Sequence, residues 1–245
     1  MKTIFIYKDE GVGGLSVKAL IRSLNKSEVT SKYLVSTISA DELIYGPWEN
    51  ECEILVIPGG RDVPYHQALQ GMGNQKIKRF IEKGGKYLGI CAGAYYASNQ
   101  VIFEKESEHE VIEKRELSFF PGNAIGVLYK EKPFTYEGHK SAHLALVQSE
   151  KESLYTYYNG GCYFENAEAY SSSVDILARY QNAIYHNVPA VVMCRVGKGK
   201  ALLSGVHFEV CPQYCGQEKK MRERLKLDES KRQHFFDDLL SRLIG

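Results

Sequence analysis

The stretch Lys86-Tyr87-Leu88-Gly89-Ile90-Cys91-Ala92-Gly93-Ala94-Tyr95-Tyr96 contains the pattern that decides the fold. Its apolar beginning is typical of a buried strand, and the residues from Ala94 onward are compatible with a helix. Between them, Gly89-x-Cys91-x-Gly93 matches the nucleophile elbow, a tight strand-to-helix turn, with Cys in place of Ser. The flanking small residues let the backbone fold tightly, so we expect the thiol to project at the carboxyl edge of a sheet.

This predicted position would favour the thiolate form of Cys91. A helix N-terminus carries a partial positive charge, and a neighbouring imidazole would act in the same direction. The alternative is a structural cysteine in a glycine-rich turn, because free cysteines are often buried.

The composition is that of an ordinary soluble protein. Of the 245 residues, 44% are hydrophobic and 25% are charged, and the net charge is +1. This charge gives no argument for nucleic acid or a membrane surface as a partner. No apolar run approaches the roughly 20 residues that span a bilayer. Six scattered cysteines suit a reducing compartment. We therefore expect a cytoplasmic protein without a nucleic-acid or membrane partner.

Predicted strands and helices alternate up to the elbow. The strands are residues 3–7, 33–38, 52–57 and 87–90, and the helices are residues 16–24, 41–45 and 74–83. This order predicts an α/β fold with a doubly wound, mostly parallel sheet and helices on both faces. Later strands, joined by turns such as Gly197-Lys198-Gly199-Lys200, predict added β-hairpins in the second half, and residues 229–244 predict an amphipathic helix. Without a linker or repeat, residues 1–245 are expected to form one domain.

Two glycine-rich loops follow predicted strands. Pro58-Gly59-Gly60-Arg61-Asp62-Val63-Pro64-Tyr65 offers glycines that permit the positive φ of an anion-binding nest, with an ordinary tight turn as the alternative. Gly11-x-Gly13-Gly14 lacks both the Walker lysine and the dinucleotide fingerprint. It is predicted to be a strand-to-helix turn, and a contact with substrate remains open there. The charged segments 104–116 and 219–224 are expected to be solvated.

Among seven histidines, His207 is the candidate base for Cys91 because it follows an apolar strand, again at a carboxyl edge. Glu209 lies two residues further, on the same side of an extended segment. It can accept a hydrogen bond from one imidazole nitrogen while the other nitrogen faces the thiol, as in catalytic triads. Taken alone, His207 could also be a surface residue at a strand end.

In this order, these motifs resemble the class I glutamine amidotransferases, which carry their triad in such an elbow and such a late strand end. The sequence is most similar to one branch, the amidotransferase-like N-terminal domain of biotin–protein ligases in its stand-alone bacterial form. The resemblance covers roughly residues 2–210 and rests on five motifs: Pro58 to Tyr65, Gly89 to Tyr96, Arg115-Glu116-Leu117-Ser118-Phe119-Phe120-Pro121-Gly122, Tyr157-Tyr158-Asn159-Gly160-Gly161 and Val196-Gly197-Lys198-Gly199-Lys200-Ala201.

The resemblance implies site residues. Cys91 would be the nucleophile, His207 the general base and acid, and Glu209 the group that orients the imidazole. The backbone N–H groups of Gly60 and Ala92 would form an oxyanion hole, worth about 3 kcal/mol per donor in such sites. The Tyr157 to Gly161 motif belongs to the branch and is expected to fold over the site, with an aromatic turn in the core as the alternative. The substrate-pocket candidates are Arg61, Asp62, Tyr65, Tyr95, Tyr96, Tyr158, Asn159 and Gly160.

The departures from the family bear on function. These 245 residues contain no biotin-binding Gly-Arg-Gly-x-x-Arg stretch, no nucleotide loop and no evident glutamine-recognition segment, so no cofactor or metal is expected. The leading hypothesis is a Cys-His-Glu amidohydrolase or acyl-transfer enzyme that acts on a small-molecule amide through a thioester, with a ligase or synthase as a candidate protein partner. The alternative is a non-catalytic ligand-binding or regulatory module without biotinylation activity.

Overall fold

The structure, a computed structural model, describes residues 2–136 and 138–245. Up to the elbow, strands and helices alternate as predicted. The elements are β1 (Thr3–Tyr7), α1 (Gly14–Lys26), β2 (Leu34–Ile38), α2 (Ala40–Tyr45), β3 (Cys52–Ile57), α3 (Asp62–Leu69), α4 (Met72–Glu82), β4 (Lys86–Ile90) and α5 (Ala92–Tyr96).

The remaining chain is mostly strand and ends in two helices. Its strands are β5 (Ser98–Phe103), β6 (Val111–Lys114), β7 (Phe120–Gly126), β8 (His143–Ser149), β9 (Ser153–Tyr158), β10 (Tyr163–Phe164), β11 (Val174–Tyr180), β12 (Pro189–Val196) and β13 (Gly199–Ser204). The helices are α6 (Lys219–Leu227) and α7 (Glu229–Ile244). The predicted bounds of the C-terminal amphipathic helix are those of α7.

The main sheet has the strand order β2-β1-β3-β4-β13-β12-β11-β8-β9. Strands β2, β1, β3, β4 and β13 are mutually parallel. Strands β12 and β8 are antiparallel to both of their neighbours, so β11 and β9 run in the direction of the first five. A large, mostly parallel sheet in an α/β fold is therefore confirmed, and the added hairpins are β12–β13 and β8–β9.

The core lies against the central parallel strands. The side chains from Ile54 to Ile57 on β3 are fully buried, as are Leu88 and Ile90 on β4. Burying one such side chain stabilises the fold by about 1.5–3 kcal/mol. Continuous apolar strands of this kind hold the two strand ends, after Ile57 and after Ile90, in fixed positions at one edge of the sheet.

Several sequence-based expectations are corrected. The loop expected over 58–65 ends at Arg61, because helix α3 begins at Asp62. The segment expected to be solvated at 104–116 contains β6 and the buried Arg115, and a second sheet, β10-β7-β5-β6, was not predicted. The basic run at 219–224 is solvated as expected, with Lys219, Lys220 and Arg222 exposed, and it lies in helix α6, which was not predicted. Along the described part of the chain, no helix is long and apolar enough to cross a membrane.

Candidate active site

The elbow has the strained geometry that its sequence predicts. Cys91, between β4 and α5, has φ 51° and ψ −106°, a region that non-glycine residues rarely adopt. A side chain on Gly89 would lie 2.5 Å from the carbonyl oxygen of Gly93, and one on Gly93 would collide with the carbonyl oxygen of Ile57. Both glycines are therefore required by close backbone packing. Helix α5 has only five residues, so its dipole contributes less to the thiolate than predicted.

His207 reaches Cys91 because β13 is the parallel neighbour of β4. Ser204 at the end of β13 pairs with Ile90 at the end of β4, and the Cys91 N–H donates to the Ser204 carbonyl at 2.8 Å. The segments that follow the two strands therefore leave the sheet side by side. The imidazole of His207 is buried there and forms a hydrogen bond with the Cys91 side chain.

Glu209 completes the arrangement from the opposite side of the imidazole. Its Oε1 lies 2.8 Å from Nδ1 of His207, and its carboxylate is buried. Since Nδ1 is occupied by Glu209, Nε2 is the nitrogen available to Cys91. Burial lowers the pKa of His207, but the negative charges of Glu209 and Cys91 and its hydrogen bonds to both outweigh burial and raise that pKa to about 10.

The two glycines after β3 have different roles. Gly60 has φ +156° and forms an antiparallel bridge with Val12 through two bonds, from Gly13 N to Gly59 O (3.0 Å) and from Arg61 N to Gly11 O. The bridge leaves the N–H of Gly60 unused, as an oxyanion donor requires.

Gly59 was expected to provide positive φ, and this is corrected. It is required by contact, because a side chain there would lie 2.5 Å from Cε1 of His207. Its N–H donates to Ser16 Oγ at 3.1 Å, and the predicted Gly11 to Gly14 turn packs against it through the Gly13 bond. That turn therefore supports the loop that follows β3.

The turn after β9 covers the thiol, as its motif predicted. The Cys91 thiol donates to the Asn159 carbonyl at 3.7 Å, and Cys91 is only 5% exposed. The carbonyl of Tyr157 accepts from the N–H of His207 at 2.9 Å, and the Tyr157 ring packs edge-on against the imidazole at 5.6 Å between centroids. Tyr157 was absent from the predicted site residues, although its motif was recognised. Its position next to Tyr158 gave no separate signal.

A second layer, which the sequence did not predict, lies over this turn. We call residues 133–136 and 138–142 the covering loop. Ser141 Oγ donates to Asn159 Oδ1 at 2.8 Å, and Nδ1 of His139 lies 2.7 Å from the Tyr157 hydroxyl. Gly160, with φ +74°, packs so closely on Phe134 that a side chain would meet that ring. The covering loop therefore holds the turn over the thiol.

Most predicted pocket residues are held within the protein. Tyr65, Tyr95, Tyr96 and Tyr158 are at most 3% exposed. Their hydroxyls donate to protein acceptors: Tyr65 to the Pro58 carbonyl, Tyr95 to the Gly160 carbonyl, Tyr96 to the Asn74 side chain and Tyr158 to the Gly161 carbonyl. Asp62 binds the buried Arg115. These side chains build the surroundings of the site, whereas Arg61 is exposed and Asn159 is half-buried.

The prominent cavities of the described residues do not reach the thiol or the imidazole, and two of them border the covering loop at His139 and at Phe134. None of five is lined by Cys91 or His207, and one of about 780 Å³ lies at the opposite edge of the sheet, beside Lys2, Cys52 and Lys86. Within residues 2–136 and 138–245, no group of three His, Cys, Asp or Glu side chains could hold a metal ion. The geometry places a thiol, an imidazole and a buried carboxylate side by side under a closed cover.

Comparison with known proteins agrees with this fold. A solved glutamine amidotransferase from Thermotoga maritima superposes with a TM-score of 0.61 at 12% identity, covering 100% of this chain and 98% of that one. At this identity the similarity shows the fold alone.

Sequence comparison is more specific. An uncharacterized protein of Chlamydia muridarum is 36% identical over 253 residues, covering 100% of this chain and 96% of that protein. The biotin–protein ligase of Schizosaccharomyces pombe is 34% identical over 212 residues, which cover 84% of this chain but only 33% of the ligase. The model of the family described as "Biotin-protein ligase, N terminal" matches residues 2–244. The chain therefore belongs to the biotin–protein ligase N-terminal family, built on an amidotransferase-like fold.

Proposed function

We propose that the chain is a cysteine-dependent amidohydrolase or acyl-transfer enzyme that acts on a small amide through a thioester. The observation that carries this proposal is the buried imidazole of His207, which bonds Glu209 at 2.8 Å on one side and the Cys91 thiol on the other. A nucleophile beside a base that is itself oriented by a carboxylate is the arrangement of covalent acyl transfer.

The raised pKa of His207 supports the first step. With a pKa of about 10, the imidazole holds a proton at neutral pH, and in this proposal that proton comes from Cys91. The thiolate attacks the carbonyl carbon of the amide. His207 then returns the proton to the leaving amine, which departs as the thioester forms. Neutral His207 next accepts a proton from water, and the resulting attack releases the acid and regenerates the thiol.

The oxyanion of each tetrahedral intermediate needs donors next to the thiol. The N–H of Gly60 is unused by its backbone bridge, and the N–H of Ala92 opens helix α5 directly after the nucleophile. We propose these two groups as the oxyanion hole, each contributing about 3 kcal/mol to the transition state.

A second candidate is a non-catalytic module that binds a ligand or regulates a partner. The closed cover over Cys91 favours it, because the thiol is 5% exposed and is hydrogen bonded to Asn159. The ligase of Schizosaccharomyces pombe, of which this chain matches a third, makes a ligase or synthase a reasonable partner to propose. We propose no biotinylation activity for the chain in either case.

The rate of Cys91 alkylation by iodoacetamide against pH, read by mass spectrometry, tests the proposal. In the wild type, we expect labelling to continue well below the free-thiol pKa of roughly 8.5, and His207→Ala should abolish this advantage. Cys52→Ala is the matched control, because Cys52 is a buried thiol at the opposite edge of the sheet. Labelling of Cys91 no faster than that of the other cysteines would favour the non-catalytic module.

Turnover gives the second test. A screen of small amides and glutamine analogues should identify a substrate whose hydrolysis is lost in Cys91→Ala and kept in Cys52→Ala. Full turnover by Cys91→Ala on such a substrate would contradict the proposed mechanism.

A further inference from the structure

Three predicted pocket residues, Arg61, Asp62 and Tyr65, lie in the segment that follows β3. The structure gives them different roles. The Tyr65 hydroxyl donates to the Pro58 carbonyl at 3.3 Å and is fully buried. The Asp62 carboxylate accepts a hydrogen bond from Nε of Arg115 at 2.8 Å, and Nη2 of Arg115 lies 2.7 Å from the same oxygen in an ion pair. Arg61, in contrast, is exposed, and its guanidinium has no hydrogen-bond or ion-pair partner among the described residues.

The pairing of Asp62 with Arg115 has a consequence for Arg61. Asp62 is the nearest carboxylate in sequence and would otherwise neutralise the neighbouring guanidinium. Instead, it is turned into the protein and held by a side chain that is itself 3% exposed. Because Arg115 binds Asp62 internally, Asp62 does not pair with Arg61, whose guanidinium has no ion-pair partner among the described residues.

The position of Arg61 places this charge next to Gly60, whose N–H is proposed as an oxyanion donor. It directly follows Gly60, and its own N–H donates to the Gly11 carbonyl at 2.8 Å, which fixes the backbone. Its guanidinium lies over the Tyr136 ring, 5.8 Å from the centroid. Burial raises the pKa of the Tyr136 hydroxyl, as do the charges of Asp62 and Cys91, while the charge of Arg61 opposes them.

We propose that Arg61 binds a carboxylate of the substrate, so that the amide attacked by Cys91 belongs to a singly charged anion. This inference rests on the proposed function and adds the substrate class to it. A guanidinium presents parallel N–H groups that match the two oxygens of a carboxylate. Within the described residues, Arg61 is the single cation that contacts Tyr136, and one cation suits a monoanion better than a doubly charged phosphate.

Two alkylating reagents of similar size, one with a carboxylate and one with a neutral amide, test the proposal. Iodoacetate carries a carboxylate, whereas iodoacetamide is neutral, and both transfer a two-carbon group to the thiolate with loss of iodide. We expect the iodoacetate rate divided by the iodoacetamide rate at Cys91 to fall about tenfold in Arg61→Gln, because the substitution removes one charge-assisted hydrogen bond. Arg61→Lys should keep part of the preference for iodoacetate, because the charge remains and the paired geometry is lost.

Arg79→Gln is the matched control. Arg79 is also exposed, lacks a recorded side-chain partner in the described residues, and lines the cavity at the opposite edge of the sheet. Its substitution removes the same charge and should leave the ratio unchanged. An unchanged ratio in Arg61→Gln, or an equal fall in Arg79→Gln, would overturn the role of Arg61.

The same design separates this inference from the proposed function. Removing the base in His207→Ala should slow alkylation by both reagents equally and leave the ratio of their rates unchanged. If the wild type reacts slowly with both reagents but keeps the ratio that depends on Arg61, only the proposal of a primed thiol is contradicted. If Cys91 takes up neither reagent, binding of glutaramate and glutaramide to Cys91→Ala protein is compared by ligand-observed NMR. Preference for glutaramate that is lost on adding Arg61→Gln supports the proposal, and equal binding of the two probes overturns it.

Discussion

The two sides of the site are built in different ways. The sheet side is formed by residues 58–61, 89–93 and 204–209. Strand register, backbone hydrogen bonds and close backbone packing hold it in place. On the cover side, formed by residues 157–160 and the covering loop, Tyr157 and Tyr158 end strand β9, and side chains such as Ser141 and His139 attach the covering loop to this strand end. The sheet side can shift only if strands move, whereas the cover side can open when a few hydrogen bonds break. Chemistry is therefore expected to depend on the first side and access on the second.

Two glycines illustrate this difference. A side chain on Gly93 would collide with the Ile57 carbonyl in a buried strand, which has no room to yield. A side chain on Gly160 would meet the ring of Phe134, which can rotate away, although the positive φ would still be strained. Substitutions on the sheet side and on the cover side test this difference.

The largest effect is expected from Glu209→Gln on the sheet side. The substitution keeps the volume but removes the charge that raises the pKa of His207. We expect the rate of Cys91 alkylation at pH 7 to fall by roughly thirtyfold, because a thiol with the free pKa of roughly 8.5 is only about 3% thiolate at that pH. An imidazole titration by NMR should show a lower pKa for His207. An unchanged rate would mean that Glu209 has no part in preparing the thiol.

The same pair makes the stability of the fold depend on pH. The pKa of His207 is raised in the folded state to about 10, against about 6.5 when unfolded. This stabilisation is complete below pH 6.5 and is lost as the pH rises through 10. Because the proton on His207 is the one that Cys91 gives up in the proposed pair, urea unfolding of the wild type should show the free energy of unfolding declining mainly between the free-thiol pKa of roughly 8.5 and pH 10, by about 2 kcal/mol. In Glu209→Gln the decline should be clearly shallower, and an equally steep one would contradict this assignment.

A smaller effect is expected from Gly59→Ala, which presses on the base itself. The new methyl group would lie 2.5 Å from Cε1 of His207 and displace the ring. A displaced imidazole stabilises the thiolate less well, so Cys91 alkylation at pH 7 should fall by about tenfold while the fold persists. Gly14→Ala is the control, because a side chain there meets nothing within 4 Å. Equal rates in the two variants would show that contact with Gly59 does not position the imidazole.

The smallest effect is expected on the cover side, from Ser141→Ala. Loss of its bond to Asn159 should lower the free energy of unfolding by about 1 kcal/mol. Because the cover then opens more often, Cys91 alkylation should become faster by about threefold, opposite in sign to the changes on the sheet side. Ser36→Ala, an exposed serine on β2, should leave the rate unchanged. Slower alkylation in Ser141→Ala would contradict a cover that limits access.

The sequence predicted the sheet side well because its signals are local. Glycines two positions on either side of Cys91, and Glu209 two positions after His207, express constraints within one turn or one extended segment. The pairing of β4 with β13 could be inferred because each candidate residue follows an apolar strand, and parallel strands end at one edge.

The covering loop could not be predicted in the same way. The contact between Ser141 and Asn159, or between His139 and Tyr157, joins loops whose relation depends on the path of β8 and β9. Nor could composition reveal that Arg115 is buried, since its charged neighbours suggested solvent. Whether Arg61 and Asp62 are exposed or paired depends on Arg115, which is distant in the sequence. The sequence therefore gave both residues the same predicted role in the pocket.

The place of β13 in the sheet also has a consequence for biosynthesis. The strand that carries His207 to the site lies between β4 and β12, so it is inserted after most of the chain has left the ribosome. Cys91 is made long before its base, and a nascent chain holds an ordinary thiol rather than an activated one. Under the proposed function, Cys91 therefore meets its base only in a molecule whose central sheet is complete.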